Sequence, residues 1–239
     1  MNKNLSINGG IREAFNEARR QKALYGDENV YDLSIGNPSA PVPRKVTEVL
    51  KDFCGKKELD HQYMCESGYE EVREKIADHL NQKYNTGYGI NNIIMTNGVA
   101  GGINIVLRAL LNPGDEVIIF RPYYPAYKGF VENWQGKIVE VNPKEDFQPD
   151  FEDLEHKITI RTKVVIVNSP HNPTGVIYTK ETAAKISEIL KSKQKEYGHA
   201  ICLLSDEPYR DLVYIEEELP WWPDFYRNTI VSYSFSKSL

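Results

Sequence analysis

The sequence predicts an α/β protein: a mostly parallel central sheet flanked by helices. Three observations predict it. From Asn91 onward, short β-branched runs alternate with helical or turn segments. The runs are apolar throughout rather than at every second residue, the pattern of strands covered on both faces. The segments richest in chemically active side chains follow such runs, and an open parallel sheet places its ligands beyond strand C-terminal ends.

In chain order, an amphipathic helical stretch runs from Ile11 to Leu24. Asp32-Leu33-Ser34-Ile35 leads into Gly36-Asn37-Pro38-Ser39-Ala40-Pro41-Val42-Pro43, where three prolines within six residues forbid helix and make the chain extended. Helical periodicity resumes from Arg44 to Phe53 and from Gly68 to Tyr84, the latter with Val72, Ile76 and Leu80 on one face. Strands are expected at Ile93–Thr96, Glu116–Phe120, Lys137–Val141, Val164–Asn168, Ala200–Ser205 and Thr229–Tyr233. A helix is expected over Asn104–Leu111, ending before Asn112-Pro113-Gly114. Another is expected over Thr179–Lys195, whose Lys191, Lys193 and Lys195 form a solvated face and suit the negative end of the helix dipole.

Composition narrows the function. The chain is 41% hydrophobic and 26% charged, as a soluble globular protein is. Net charge is −5 and no long basic run occurs, which argues against nucleic acid as a partner. Runs such as Val117–Phe120 and Val164–Val167 are too short to span a bilayer, so no membrane partner is expected. Met1–Leu5 lacks an apolar signal core, and Cys54, Cys65 and Cys202 have no metal-ligand spacing. A cytoplasmic location is therefore expected, with no metal.

Three segments carry the chemistry: Asn172-Pro173-Thr174-Gly175, Asp206-Glu207-Pro208-Tyr209 and Ser234-Phe235-Ser236-Lys237. Asp206 lies 34 residues after Asn172, and Lys237 lies 31 after Asp206. A lysine amine is the natural donor to a carbonyl cofactor. A carboxylate after a strand is ordinarily an N-cap or turn residue, but beside a pyridine nitrogen it keeps that nitrogen protonated and the ring an electron sink. A turn from Thr96 through Gly98, Val99 and Ala100 opens a helix, and a helix N-terminus suits a phosphate.

In order and spacing these segments resemble the pyridoxal-phosphate (PLP) aminotransferases of class I/II, the aspartate aminotransferase superfamily of fold type I. The resemblance implies the large domain of that fold. Residues 46–239 then form an incomplete PLP-binding domain, and residues 1–45 an N-terminal arm and part of a small domain. Lys237 matches the lysine of S-x-[SA]-K, which forms the Schiff base and shuttles a proton. Ser234 and Ser236 match the hydroxyls flanking it, Ser234 at the position of the family's phosphate-contacting serine. Asp206 matches the partner of the ring nitrogen. Tyr209 and Asn172 match the pair that hydrogen-bonds the cofactor's phenolic oxygen. Gly98, Val99 and Ala100 match the phosphate turn, with Gly102 where the family usually has alanine.

Pro122-Tyr123-Tyr124-Pro125-Ala126-Tyr127 resembles P-x-Y-x-x-Y, which places Tyr124 on the pyridine face and leaves Tyr127 as core packing. Tyr63, with Gly68, Val72 and Arg73, matches Y-x(4)-G-x(3)-[LV]-R. That tyrosine reaches the phosphate of the neighbouring subunit, which implies a homodimer with shared active sites. Gly36 and Asn172 are expected at the substrate. The implied activity is transfer of an amino group between an L-amino acid and a 2-oxo acid. The alternative on the same scaffold is a C–S β-lyase or another amino-acid lyase or synthase. An aminotransferase-like regulatory module is disfavoured, because residues 1–45 hold no basic helix-turn-helix. The family pattern continues past the lysine to arginines for phosphate and substrate carboxylate. The 239 residues are therefore expected to be part of a longer chain.

Overall fold

The apolar runs do pair side by side. The computed structural model describes residues 9–36, 38, 40–56 and 63–238. Five strands, β1 (Glu116–Phe120), β2 (Lys137–Val141), β3 (Thr162–Asn168), β4 (Cys202–Asp206) and β5 (Thr229–Ser232), form one sheet in the order β2-β1-β3-β4-β5. Every pairing is parallel. The helices are α1 (Gly9–Tyr25), α2 (Arg44–Cys54), α3 (Glu70–Tyr84), α4 (Gly98–Leu110), α5 (Ala126–Glu132), α6 (Phe151–Lys157), α7 (Lys180–Tyr197) and α8 (Trp222–Phe225).

The sheet is covered on both faces, because alternate residues of each strand point to opposite sides. On one side Ile118, Val165, Val167 and Leu203 meet Leu154 of α6, Ala183, Ile186 and Leu190 of α7, and Trp222 of α8. On the other, Val117, Ile119, Val164, Ile166 and Leu204 meet Ile103 and Leu107 of α4 and Tyr127 and Val131 of α5. Capping sets the helix starts. Asp150 accepts from the Glu152 and Asp153 amides before α6, and Thr179 accepts from the Thr182 amide before α7.

Four of the expected strands overlap β1, β2, β3 and β5 from their first residues or within two of them, and β4 is shifted to include Asp206. The expectation of a strand at Ile93–Thr96 is overturned. A 3-10 turn at Ile90–Asn92 precedes it, and the Met95 amide donates to the Ser67 carbonyl instead of a ladder. The α4 helix starts six residues earlier than expected, at Gly98, whose φ of +70° turns the chain into the helix. The expected inward face of α3 is also different: Arg73 and Ala77 are buried while Val72 is exposed. The Arg73 guanidinium caps the turn before its own helix, donating to the Gly68 and Ile90 carbonyls at 3.1 and 2.9 Å. The α2 helix buries no residue, and its Val49, Leu50 and Phe53 are exposed. Among the described residues no helix is long and apolar enough to cross a membrane.

Ile186 is fully buried between α7 and the sheet. Ile186→Ala should destabilise the full-length protein by about 2–5 kcal/mol, the cost of a buried cavity. Urea unfolding should show a lower midpoint at unchanged m-value, and a loss below about 1 kcal/mol would contradict this core.

Candidate active site

Parallel register brings the last residues of three strands into a row. Asn168 of β3 is paired with Asp206 of β4, and Asp206 with Ser232 of β5. The chain leaves all three at the same sheet edge, and Asn172, Tyr209 and Lys237 follow these strand ends, whereas Tyr63 does not join them.

Asp206 lies at the centre of the row and is 5% exposed. Its Oδ2 accepts a hydrogen bond from the Tyr127 hydroxyl, while its Oδ1 is buried with no partner among the described residues. Burial is the main cause that pushes its carboxyl up to about 6; the neighbouring Glu207 adds to the rise, and the Tyr127 bond opposes it. A buried carboxylate oxygen without a donor is costly unless a cationic or N–H group meets it.

The expected pair is present. Asn172 Nδ2 donates to the Tyr209 hydroxyl at 3.2 Å. Asn172 is held by a turn in which the Gly175 amide donates to the His171 carbonyl at 2.7 Å and the His171 amide to the Val176 carbonyl at 2.9 Å. His171 Nδ1 lies 2.8 Å from the Thr174 hydroxyl, and burial pushes the imidazole down to about 4, so it serves the turn as a neutral ring.

Lys237 lies in a 3-10 turn, Phe235–Lys237, that follows β5. The Ser234 hydroxyl caps this turn, accepting from the Ser236 amide at 3.2 Å, and it donates to the Ser236 hydroxyl at 3.0 Å. Lys237 Nζ donates to the Gly36 carbonyl at 2.9 Å, which joins two predicted site residues. Asn37 and Ser39 beside it lie outside the described residues.

The α4 N-terminus meets β5 at this edge. A Cβ at Gly102 would come within 3.2 Å of the Ser232 and Thr96 hydroxyls, so glycine there allows helix and strand to approach closely. Gly98 has open space where its Cβ would be, leaving its backbone accessible. Its own amide bends back to the Thr96 carbonyl at 3.0 Å, whereas Val99 and Ala100 occupy a first turn whose amides lack intrahelical acceptors. Tyr124 is 38% exposed and packs edge-on against Tyr127, their rings 5.7 Å apart. Tyr63 is fully exposed, and nothing among the described residues joins it to the others.

Two residues at this edge were not legible as site residues. The expectation that Tyr127 only packs in the core is incomplete. It is 2% exposed, yet its hydroxyl is the one donor to the Asp206 carboxyl among the described residues. Asn168 closes the strand ends together: its Nδ2 donates to the Asp206 carbonyl at 2.8 Å, and its Oδ1 accepts the Asn172 amide at 2.7 Å. The only signal for Asn168 was a polar residue ending an apolar strand.

A parallel sheet with helices on both faces and a lysine, a buried aspartate and a helix N-terminus at its C-terminal edge defines the large-domain class of aminotransferase fold. The chain belongs to the family "Aminotransferase class I and II", whose model matches residues 28–239. It is 35% identical to the aspartate aminotransferase of Sulfolobus acidocaldarius over 98% of this chain and 58% of that protein. It is 32% identical to that of Thermotoga maritima over 84% of this chain and 52% of that protein. Among solved structures, an aminotransferase from Eubacterium rectale superposes with a TM-score of 0.92 and 40% identity, covering all of this chain and 63% of that one. The chain thus spans between half and two thirds of the length of these relatives.

The buried Asp206 gives a stability prediction. Its folded carboxyl titrates near 6 rather than 3.8, so the folded state holds the proton more tightly than the unfolded state. Its contribution to stability is complete below about pH 4 and is lost as pH rises through about 6. Cofactor-free Asp206→Asn protein should therefore be more stable than wild type at pH 8, by up to about 3 kcal/mol at about 1.4 kcal/mol per pKa unit. The difference should vanish near pH 4. Tyr127→Phe should act oppositely, with a larger loss of melting temperature at pH 8 than at pH 5. Equal melting temperatures at both pH values would contradict the burial described.

Proposed function

We propose that the full-length protein is a PLP-dependent aminotransferase, moving an amino group between an L-amino acid and a 2-oxo acid in the cytoplasm. The observation that carries this reading is the unpartnered, buried Asp206 Oδ1 at the edge where Lys237, the Asn172–Tyr209 pair and the α4 N-terminus also lie. A protonated ring nitrogen is the kind of group that oxygen lacks. When bound, PLP supplies an electron sink that stabilises negative charge at the substrate Cα.

The chain's own groups divide the work. Lys237 would hold the cofactor covalently and, once displaced by substrate, carry the proton at Cα. Asp206 would hold the ring nitrogen protonated. The Asn172 amide and Tyr209 hydroxyl would both donate to the phenolic oxygen, and Tyr124 would lie against the ring face. The Gly98, Val99 and Ala100 turn with the Ser234 and Ser236 hydroxyls would hold the phosphate. Full exposure of Tyr63 suits a reach to a second copy's phosphate, and hence a homodimer with shared sites. Gly36 and Asn172 would meet the substrate. The relatives' names make aspartate the first amino donor to try.

The test is direct. Full-length protein incubated with PLP, then reduced with borohydride and digested, should carry the cofactor on the peptide containing Lys237. Lys237→Ala should carry none. A label elsewhere, or no label, would overturn the reading. Amino-acid donors with 2-oxoglutarate should yield a new amino acid, and Asp206→Ala should reduce that rate by at least about a hundredfold while retaining some cofactor. Pyruvate and ammonia released without an acceptor would favour a β-lyase instead.

A further inference from the structure

We propose that Arg210 is a positioning residue: paired with buried Glu207, it clamps the turn carrying Tyr209 against α3 and the 220–221 segment, and so sets where the Tyr209 hydroxyl meets the cofactor. The proposal rests on the PLP reading above.

Glu207 directly follows Asp206 at the end of β4. The Glu207 side chain is fully buried and that of Arg210 only 8% exposed, with Nη1 and Oε2 2.5 Å apart. The other Glu207 oxygen accepts from the Ser205 hydroxyl at 2.6 Å. The rest of the guanidinium is also engaged. Nε donates to the Tyr84 hydroxyl at 2.7 Å, and Nη1 and Nη2 donate to the Pro220 carbonyl at 3.2 and 3.1 Å. Tyr84 and Trp221 stack at 4.1 Å, nearly coplanar, and the guanidinium lies 5.1 and 5.2 Å from their ring centres. One side chain thus ties the last residue of α3, the strand-end turn and residues 220–221 together.

The geometry reaches the active site through chain connectivity. Glu207 and Arg210 are three residues apart, and only Pro208 and Tyr209 lie between them. The ion pair fixes the backbone on both sides of Tyr209, whose hydroxyl then meets Asn172. It also neutralises the anion next to Asp206. The charged and titratable groups facing Glu207 and Arg210 are Lys83 and Tyr84 on α3 and Asp206 on β4. Removing one partner of such a buried pair strands the other charge, so the pair's cost is repaid only in this fixed geometry. Lysine cannot replace the fork, because a single ammonium cannot meet Glu207, Tyr84 and Pro220 together.

A pin that served stability alone would alter melting temperature and leave the bound cofactor unchanged. The experiment compares wild type, Arg210→Met, Arg210→Lys and the double variant Glu207→Gln/Arg210→Met in the full-length protein. The double variant leaves no stranded charge and keeps the question open if the single variant fails to fold. Each is measured for melting temperature, PLP dissociation constant and the pH midpoint of the visible band of the Lys237-bound cofactor. The double variant should fold, bind PLP about tenfold more weakly, the weight of one hydrogen bond to a charged group, and show a raised midpoint. Arg210→Lys should lie between it and wild type. In a Tyr209→Phe background the midpoint shift should disappear, because the effect passes through that hydroxyl. A folded double variant with wild-type affinity and midpoint overturns the proposal, as does a shift that persists without the Tyr209 hydroxyl. If wild type itself takes no PLP on Lys237, the functional reading fails, a result distinct from either.

Discussion

The half-satisfied carboxylate of Asp206 is the constraint on which the rest of this edge depends. The side chain is nearly removed from water, one oxygen is met by Tyr127, and the other by nothing among the described residues. Such an arrangement is unfavourable for a folded chain by itself. It persists because the surroundings over-determine it. The backbone at Asp206 is paired to strands on both sides, and its carbonyl is held by Asn168. The next residue is locked by Arg210. In the proposed enzyme the missing partner is the cofactor, so affinity for the cofactor is stored in the fold as an unmet demand.

That demand shapes the packing around it. Tyr127 extends from α5 in the same apolar cluster as Ile103, Leu107 and Ile166, and only its hydroxyl is polar. The ring supplies the low-dielectric wall that raises the Asp206 carboxyl, and the hydroxyl moderates the rise. Burial also raises the Tyr127 phenol well above its ordinary range, so it remains a donor. Core and site are the same residues here, seen from two sides.

The sheet was legible in the sequence because its signal is local. Continuous apolar runs mark strands whose two faces are buried, as in Val117–Phe120 of β1 and Val164–Val167 of β3, whereas the edge strand β2 carries Lys137 and Glu140 and is only partly buried. The run at Ile93–Thr96 is also apolar but has no strand to pair with among the described residues, and pairing is a tertiary property. The site was legible where a residue type has one obvious chemistry, as with Lys237, or where several segments recur in a known order. Asn168, Tyr127 and Arg210 were not. Each looks like ordinary strand-end, core or surface composition, and its importance comes from a partner 38, 79 or 126 residues away. Gly102 stood out only as a departure from the family's alanine, whereas the structure makes it a contact surface for Ser232.

The bond between the Lys237 amine and the Gly36 carbonyl spans 201 residues of sequence. Loop closure over such a span is entropically costly, and contacts of this range form after local ones. Because the lysine meets the amino-terminal segment only once everything between them is in place, the reactivity of this one amine reports completed folding. Partially assembled chains would present the same lysine unrestrained, and an aldehyde reagent could tell the two populations apart by rate.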